Sequence, residues 1–148
     1  MQAEPQDLEV VFDPLPGEAL TRLVTDHVIS VNFARTGQID WHPIGFFLKS
    51  SRGEWLGGLT GYIWGGWLQV NFLWVSEPFR GRRHATRLMD AAEAMARERG
   101  ALAATLETFS FQAPDFYRKR GYTVFGRLDD YPPGHAKLFL SKQLRQKT

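Results

Sequence analysis

The stretch Trp67-Leu68-Gln69-Val70-Asn71-Phe72-Leu73-Trp74-Val75 is rich in β-branched and aromatic residues and predicts a strand. Past Ser76-Glu77-Pro78-Phe79 the chain reads Arg80-Gly81-Arg82-Arg83-His84-Ala85-Thr86-Arg87, and there the period changes. Ala85, Leu88, Ala92 and Met95 recur at helical spacing, with Arg87, Asp90, Glu93, Arg97 and Glu98 on the polar side and Gly100 as the stop. Ala101 to Thr108 predicts a second strand, parallel to the first because a helix connects them.

The turn before that helix carries chemistry. A helix N-terminus presents unpaired N–H groups and partial positive charge, so acidic side chains are favoured there. This helix opens instead among Arg80, Arg82, Arg83 and Arg87, which repel one another and the dipole. A bound anion reverses that sign, so a phosphate site is preferred over a solvated basic loop. The Gly-x-x-x-x-Gly-Lys-Ser/Thr loop of nucleoside triphosphatases is absent, and no Gly-x-Gly-x-x-Gly follows a strand.

Toward the N-terminus, Gly65-Gly66 joins this strand to another over Trp55 to Trp64 as a two-residue hairpin. Ser50-Ser51-Arg52-Gly53 turns that strand back on Ile44 to Lys49, and Asp40 to Pro43 reads as a loop. Leu20, Leu23, Val24, His27, Val28 and Val31 predict a helix from Glu18 to a stop at Gly37, preceded by a short strand over Asp7 to Phe12. Toward the C-terminus, Pro114 opens a helix that Gly121 closes, and Tyr122 to Arg127 and Ala136 to Lys142 are the last strands. The order β-α-β-β-β-α-β-α-β-β predicts a single α/β domain over residues 1–148, with a mixed, mostly antiparallel sheet and helices on both faces.

The chain's 148 residues suffice for one cored domain without staples. Eighteen Lys+Arg stand against 16 Asp+Glu, and a net charge of +2 does not by itself predict a nucleic-acid partner. The absence of cysteine excludes disulfides, thiolate metal sites and a cysteine nucleophile. His27, His42, His84 and His135 show no ligand spacing, so no metal is expected. Met1-Gln2-Ala3-Glu4-Pro5 lacks the basic and apolar regions of a secretory signal, and no apolar run approaches the ~20 residues that span a bilayer. A cytoplasmic protein without a membrane partner is the expectation.

The hexapeptide Arg80-Gly81-Arg82-Arg83-His84-Ala85 resembles the pyrophosphate-binding signature of the GNAT family of N-acetyltransferases, Gln/Arg-x-x-Gly-x-Gly/Ala, and sits between a strand and a helix as theirs does. Arg80 takes the first position and Ala85 the last, whereas Arg83 stands where the family has glycine. Leu73-Trp74-Val75 and the pair Phe116-Tyr117 with Gly121-Tyr122 resemble further family segments. Ser110-Phe111-Gln112-Ala113-Pro114 and Tyr131-Pro132-Pro133-Gly134-His135 resemble a small bacterial subgroup, so the resemblance spans roughly residues 18 to 142.

The resemblance implies the GNAT fold and an enzyme that moves the acetyl group of acetyl coenzyme A, its co-substrate, to a primary amine of a small molecule or peptide. A monomer or homodimer is the expected assembly. The strand ending at Val75 is expected to splay from the one beginning near Leu102, with the pantetheine arm against Leu73, Trp74 and Val75. Gly81, Arg82, Arg83, His84, Ala85 and Thr86 would hold the pyrophosphate, and Arg80 would add charge. Ser110 matches a position beside the cofactor arm, or else caps the following helix. Tyr117 matches the tyrosine that protonates the departing thiolate; the alternative is a core aromatic.

With no cysteine, the acceptor attacks directly within a ternary complex. Period-two alternation puts Gln69, Asn71 and Leu73 on one face. Gln69 takes a place where some relatives carry a glutamate base, so Glu107, at the end of the next strand, is the candidate base and equally a candidate structural partner; His135 and Asp40 rank behind it. Asn32, Trp41, Gln69, Asn71 and His135 are the expected acceptor contacts, from the segment Asn32 to Trp41, the central strand and the loop Asp129 to His135. Trp41, Trp55, Trp64, Trp67 and Trp74 supply either an aromatic wall for a cationic amine or sheet packing. Two other classes stay open. One is a non-catalytic acyl-coenzyme-A sensor; the other is nucleic-acid binding through the arginine turn, which the near-neutral charge and the lack of a second basic run disfavour.

Overall fold

The computed structural model describes residues 7–145 and divides the chain into two compact units, Met1–Ile39 and Asp40–Thr148. The first holds α1 (Glu18–Thr36), which stops at Gly37 as the sequence predicts; the Gly37 N–H donates to the Phe33 carbonyl at 2.9 Å. Asp7–Phe12 is not a strand, which corrects the expectation: a short extended run becomes a strand by hydrogen bonding to a neighbour, and this one joins no ladder. The segment Met1–Pro5 lies outside the described residues. No described helix is long and apolar enough to cross a membrane.

The second unit is a six-stranded sheet of β1 (His42–Lys49), β2 (Trp55–Trp64), β3 (Trp67–Val75), β4 (Ala103–Phe109), β5 (Thr123–Asp129) and β6 (Ala136–Gln143). Their spatial order is β1-β2-β3-β4-β6-β5, and every neighbouring pair is antiparallel except β3 and β4. Between these two runs α2 (His84–Glu98), and α3 (Pro114–Lys119) follows β4. From α2, Leu88, Met89, Ala92 and Ala96 join Leu59, Leu68, Val70, Leu106 and Leu140 of the sheet in one buried cluster, and Phe116 and Tyr117 of α3 pack on it. Glu93, expected on the polar side of α2 from its charge, is instead buried, 1% exposed.

The central feature is where β3 and β4 part. Their parallel ladder runs only from Trp67/Ala103 to Val70/Leu106. Beyond it β3 continues along β2 and β4 along β6, so the edges of Asn71–Val75 and Glu107–Phe109 that face each other have no ladder partner among the described residues. β3 changes register at that point: Val70 pairs with Gly61 and Phe72 with Thr60, leaving Asn71 as an extra residue. Such a bulge bends its strand and ends pairing. It also shifts the alternation by one, so Gln69 and Leu73 lie on opposite faces rather than the shared face expected. Leu73 pairs with buried Leu59, on the side of Leu68 and Val70, and two successive exposed residues, Asn71 and Phe72, mark the shift.

Glycine at position 61 is what permits the bulge. A Cβ there would sit 2.0 Å from the Gln69 carbonyl oxygen, a backbone atom that cannot swing aside.

Candidate active site

Between β3 and α2 the backbone folds into a cup of donors. Gly81 has φ +73°, and Arg83, the N-cap of α2, has φ 65° and ψ 15° with no side-chain cap. Positive φ at two positions of so short a turn is compatible with the concave arrangement of N–H groups known as an anion nest. The first intrahelical bond runs from the Arg87 N–H to the Arg83 carbonyl at 3.0 Å, and the N–H groups from Gly81 to Thr86 meet no backbone acceptor among the described residues. Arg80 donates its Nε to the Val75 carbonyl at 2.9 Å, which ties the turn to the end of β3. Arg82 lies over the Phe79 ring at 5.7 Å, and Arg87 meets His84 Nδ1 at 3.3 Å. Among the described residues none of Arg80, Arg82, Arg83 and Arg87 forms an ion pair with a carboxylate.

Arg83 is the departure from the family pattern, and its backbone shows the cost. A residue with a Cβ loses about 1–2 kcal/mol in this conformation, and its charge opposes the helix dipole. Arg83→Gly is therefore expected to raise the melting temperature by about 2–8 °C, read by thermal unfolding without ligand. A lower melting temperature would mean that the Arg83 side chain makes contacts worth more than the strain.

After β4, α3 carries Tyr117, half-buried, its ring edge-on to Phe116 at 5.1 Å and to Tyr122 at 6.0 Å. Burial raises its pKa above the ordinary tyrosine value of 10.0. Tyr122 is 3% exposed and its phenol is pushed up much further, by burial first and then by the Glu93 carboxylate. Of the two, Tyr117 is the accessible donor. Ser110 neither caps α3, whose N-cap is Ala113, nor stands alone. Its Oγ accepts from the Ala136 N–H at 2.9 Å while its own N–H donates to the Ala136 carbonyl, clasping the end of β4 to the start of β6.

Glu107 meets Lys137 Nζ at 2.9 Å, and hydrogen bonding to this carboxylate raises the Lys137 pKa. The lysine in turn lies over the rings of Tyr131, Phe139 and Phe109 at 5.2, 5.5 and 5.9 Å. Phe109 also stacks on Phe111 and Tyr131, and His135 meets Phe111 edge-on at 5.0 Å. The aromatic wall at this end of the sheet is thus built from phenylalanines and Tyr131 rather than from the tryptophans. Trp41 stacks on Tyr62 at 4.1 Å, Trp55 meets Phe47, and Trp67 lines an open groove with Thr105, Phe125 and Ser141. Gln69 spends its amide on the Val70 carbonyl at 3.1 Å, Asn71 is exposed at the bulge, and Asp40 is exposed just before β1. Asn32 lies on α1 in the N-terminal unit. Among the described residues no group of three or more His, Asp or Glu side chains could hold a metal ion.

Two residues escaped the sequence reading. Gln112 accepts at Oε1 from Thr108 Oγ1 at 2.9 Å and from the Phe109 N–H at 3.0 Å, fixing the end of β4 beside the gap. Glu93 pairs with Arg120 and Lys142. Its spacing offers a signal: Glu93 follows Met89 by four residues, and both are buried with Ala92 and Ala96.

A splayed parallel pair with a helix start free of backbone acceptors beside it is the geometry expected of the acetyltransferase fold that the hexapeptide resembles. The chain belongs to the acetyltransferase (GNAT) family, whose model matches residues 17–122. It is 45% identical over 94 residues to the blasticidin-S acetyltransferase of Streptomyces morookaense, covering 63% of this chain and 69% of that one. It is 31% identical over 134 residues to an acetyltransferase of Agrobacterium fabrum, covering 90% and 97%. The crystal structure of an acetyltransferase from Agrobacterium tumefaciens superposes with a TM-score of 0.85 at 29% identity, covering 92% and 99% of the two chains. The protein is an N-acetyltransferase enzyme, as the hexapeptide at Arg80–Ala85 suggested.

Proposed function

We propose that residues 1–148 act as one domain that transfers acetyl from acetyl coenzyme A to a primary amine of a small molecule. The observation that carries this reading is the gap past Val70/Leu106 with the unpaired N–H groups of Gly81–Thr86 beside it. The donors present fit the co-substrate: N–H groups at the positive end of the 15-residue α2 suit a pyrophosphate, and the free edge of Asn71–Val75 suits the amides of a pantetheine arm. Arginines around the cup, which form no ion pair with a carboxylate among the described residues, suit its remaining charge. When bound, acetyl coenzyme A supplies an activated acyl thioester. The identity shared with an enzyme named for blasticidin S supports a small-molecule acceptor over a peptide.

In this reading the residues divide the work. Backbone donors of Gly81–Thr86 and Arg80 anchor one end, and Leu73, Trp74 and Val75 guide the arm toward the bulge; the Val75 carbonyl is already taken by Arg80. Tyr117 keeps its proton through neutral pH, because burial raises its pKa, and gives it to the leaving thiolate. Glu107 receives the proton of the acceptor ammonium, held in place by Lys137. Tyr131, His135 and Phe111 form the acceptor-side wall.

The test begins with binding. Acetyl coenzyme A is expected to raise the melting temperature by several degrees at saturating concentration, and Arg80→Glu to remove most of that rise by placing a carboxylate at the cup. An unchanged rise in the variant would show that the cup does not hold the pyrophosphate. A screen of small amines that follows release of free coenzyme A then identifies the acceptor.

A further inference from the structure

One buried charge cluster lies outside these roles. Glu93 of α2 accepts from Arg120, the C-cap of α3, and from Lys142 Nζ of β6 at 2.5 Å; Arg120 also reaches Asp90 at 2.8 Å. Buried ion pairs add little stability over apolar side chains of similar volume, and orientation is one use for them. The element held here is α3, six residues long with no side-chain cap at its N-terminus, too short to be rigid by itself. Its grip is at the other end. The Arg120 N–H donates to the Tyr117 carbonyl at 3.0 Å, the Tyr122 N–H donates to the same oxygen at 3.0 Å, and the Arg120 guanidinium lies 6.0 Å from the Phe116 ring centre. Burial works against the Arg120 charge, but hydrogen bonds to Glu93 and Asp90 outweigh it and raise its pKa, so the clamp stays charged.

We infer that Arg120, locked onto Glu93 and Asp90 of α2, is a positioning residue that sets Tyr117 at the thiolate. This rests on the proton-donor role proposed for Tyr117. Because α2 carries the cup and α3 carries the tyrosine, the ion pairs fix the distance between the two ends of one bound molecule. Misplacement of a catalytic group by as little as ~1 Å costs up to about a hundredfold in rate.

The test is a double-mutant cycle of Arg120→Met and Tyr117→Phe, read in kcat, in KM for acetyl coenzyme A and in melting temperature. Arg120→Met alone is expected to lower kcat tenfold or more with KM within about twofold, and Arg120→Lys to restore most of the loss. In the Tyr117→Phe background Arg120→Met should cost almost nothing further. Equal losses in both backgrounds would overturn the inference and leave Arg120 a purely structural residue. A silent Tyr117→Phe would instead sink the proton-donor role, and the inference with it. Should Arg120→Met fail to fold, Glu93→Gln, which keeps the shape and removes the charge, is read in the same cycle with the same outcomes.

Discussion

Tyr117→Phe is expected to lower kcat by about 10²–10⁴-fold, the usual contribution of a positioned general acid. KM for acetyl coenzyme A should stay close to its starting value, since the phenyl ring keeps its contacts with Phe116 and Tyr122. The pH profile carries a second signature. Burial raises the Tyr117 pKa above 10.0, so the donating form persists to higher pH than in a free tyrosine and is lost only as pH rises through that raised value. The wild-type rate should therefore climb as the acceptor amine loses its proton and show no Tyr117-dependent fall below pH ~10. The variant should follow the same rising limb at a uniformly lower level. If kcat changes by less than about threefold, solvent protonates the thiolate and Tyr117 is packing.

The largest effect on the fold is expected from Gly61→Ala. The added Cβ meets the Gln69 carbonyl oxygen at 2.0 Å in the register that makes the bulge, so β2 and β3 must separate or slip. A loss of about 3 kcal/mol or more is expected, which corresponds to a fall of about 6–12 °C in melting temperature. The stabilisation by acetyl coenzyme A should shrink with it, because the bulge sits where β3 leaves β4. Gly45→Ala is the control. Its Cβ would meet the ring of Phe47, a flexible and largely exposed side chain on the edge strand β1, so a loss under about 1 kcal/mol is expected. Equal losses in the two variants would mean that the bulge register is not what position 61 protects.

These effects separate what was legible in the chain from what was not. The hairpin turn at Gly65-Gly66, the ends of α2, the parallel β3–β4 pair and the donor-rich turn at Arg80–Ala85 were all read from residues within one element or its two neighbours. The Asn71 bulge was not, since a register belongs to two strands and Gly61 lies ten residues away. The partners of Ser110 and Glu107 were equally hidden: Ala136 and Lys137 reach them only because β6 returns beside β4. Glu93 was misread as solvent-facing because its two cations come 27 and 49 residues later.

Local order of residue types thus settled the class of fold and singled out the turn at Arg80–Ala85 as the place proposed for an anion. Periodicity, helix caps and turn chemistry act over a few residues and need no partner. The sheet decided the rest: where β3 and β4 part, which face each side chain takes, and which carboxylates are already engaged. Those depend on pairing between segments far apart in the chain, where one shifted residue turns every side chain beyond it to the other face.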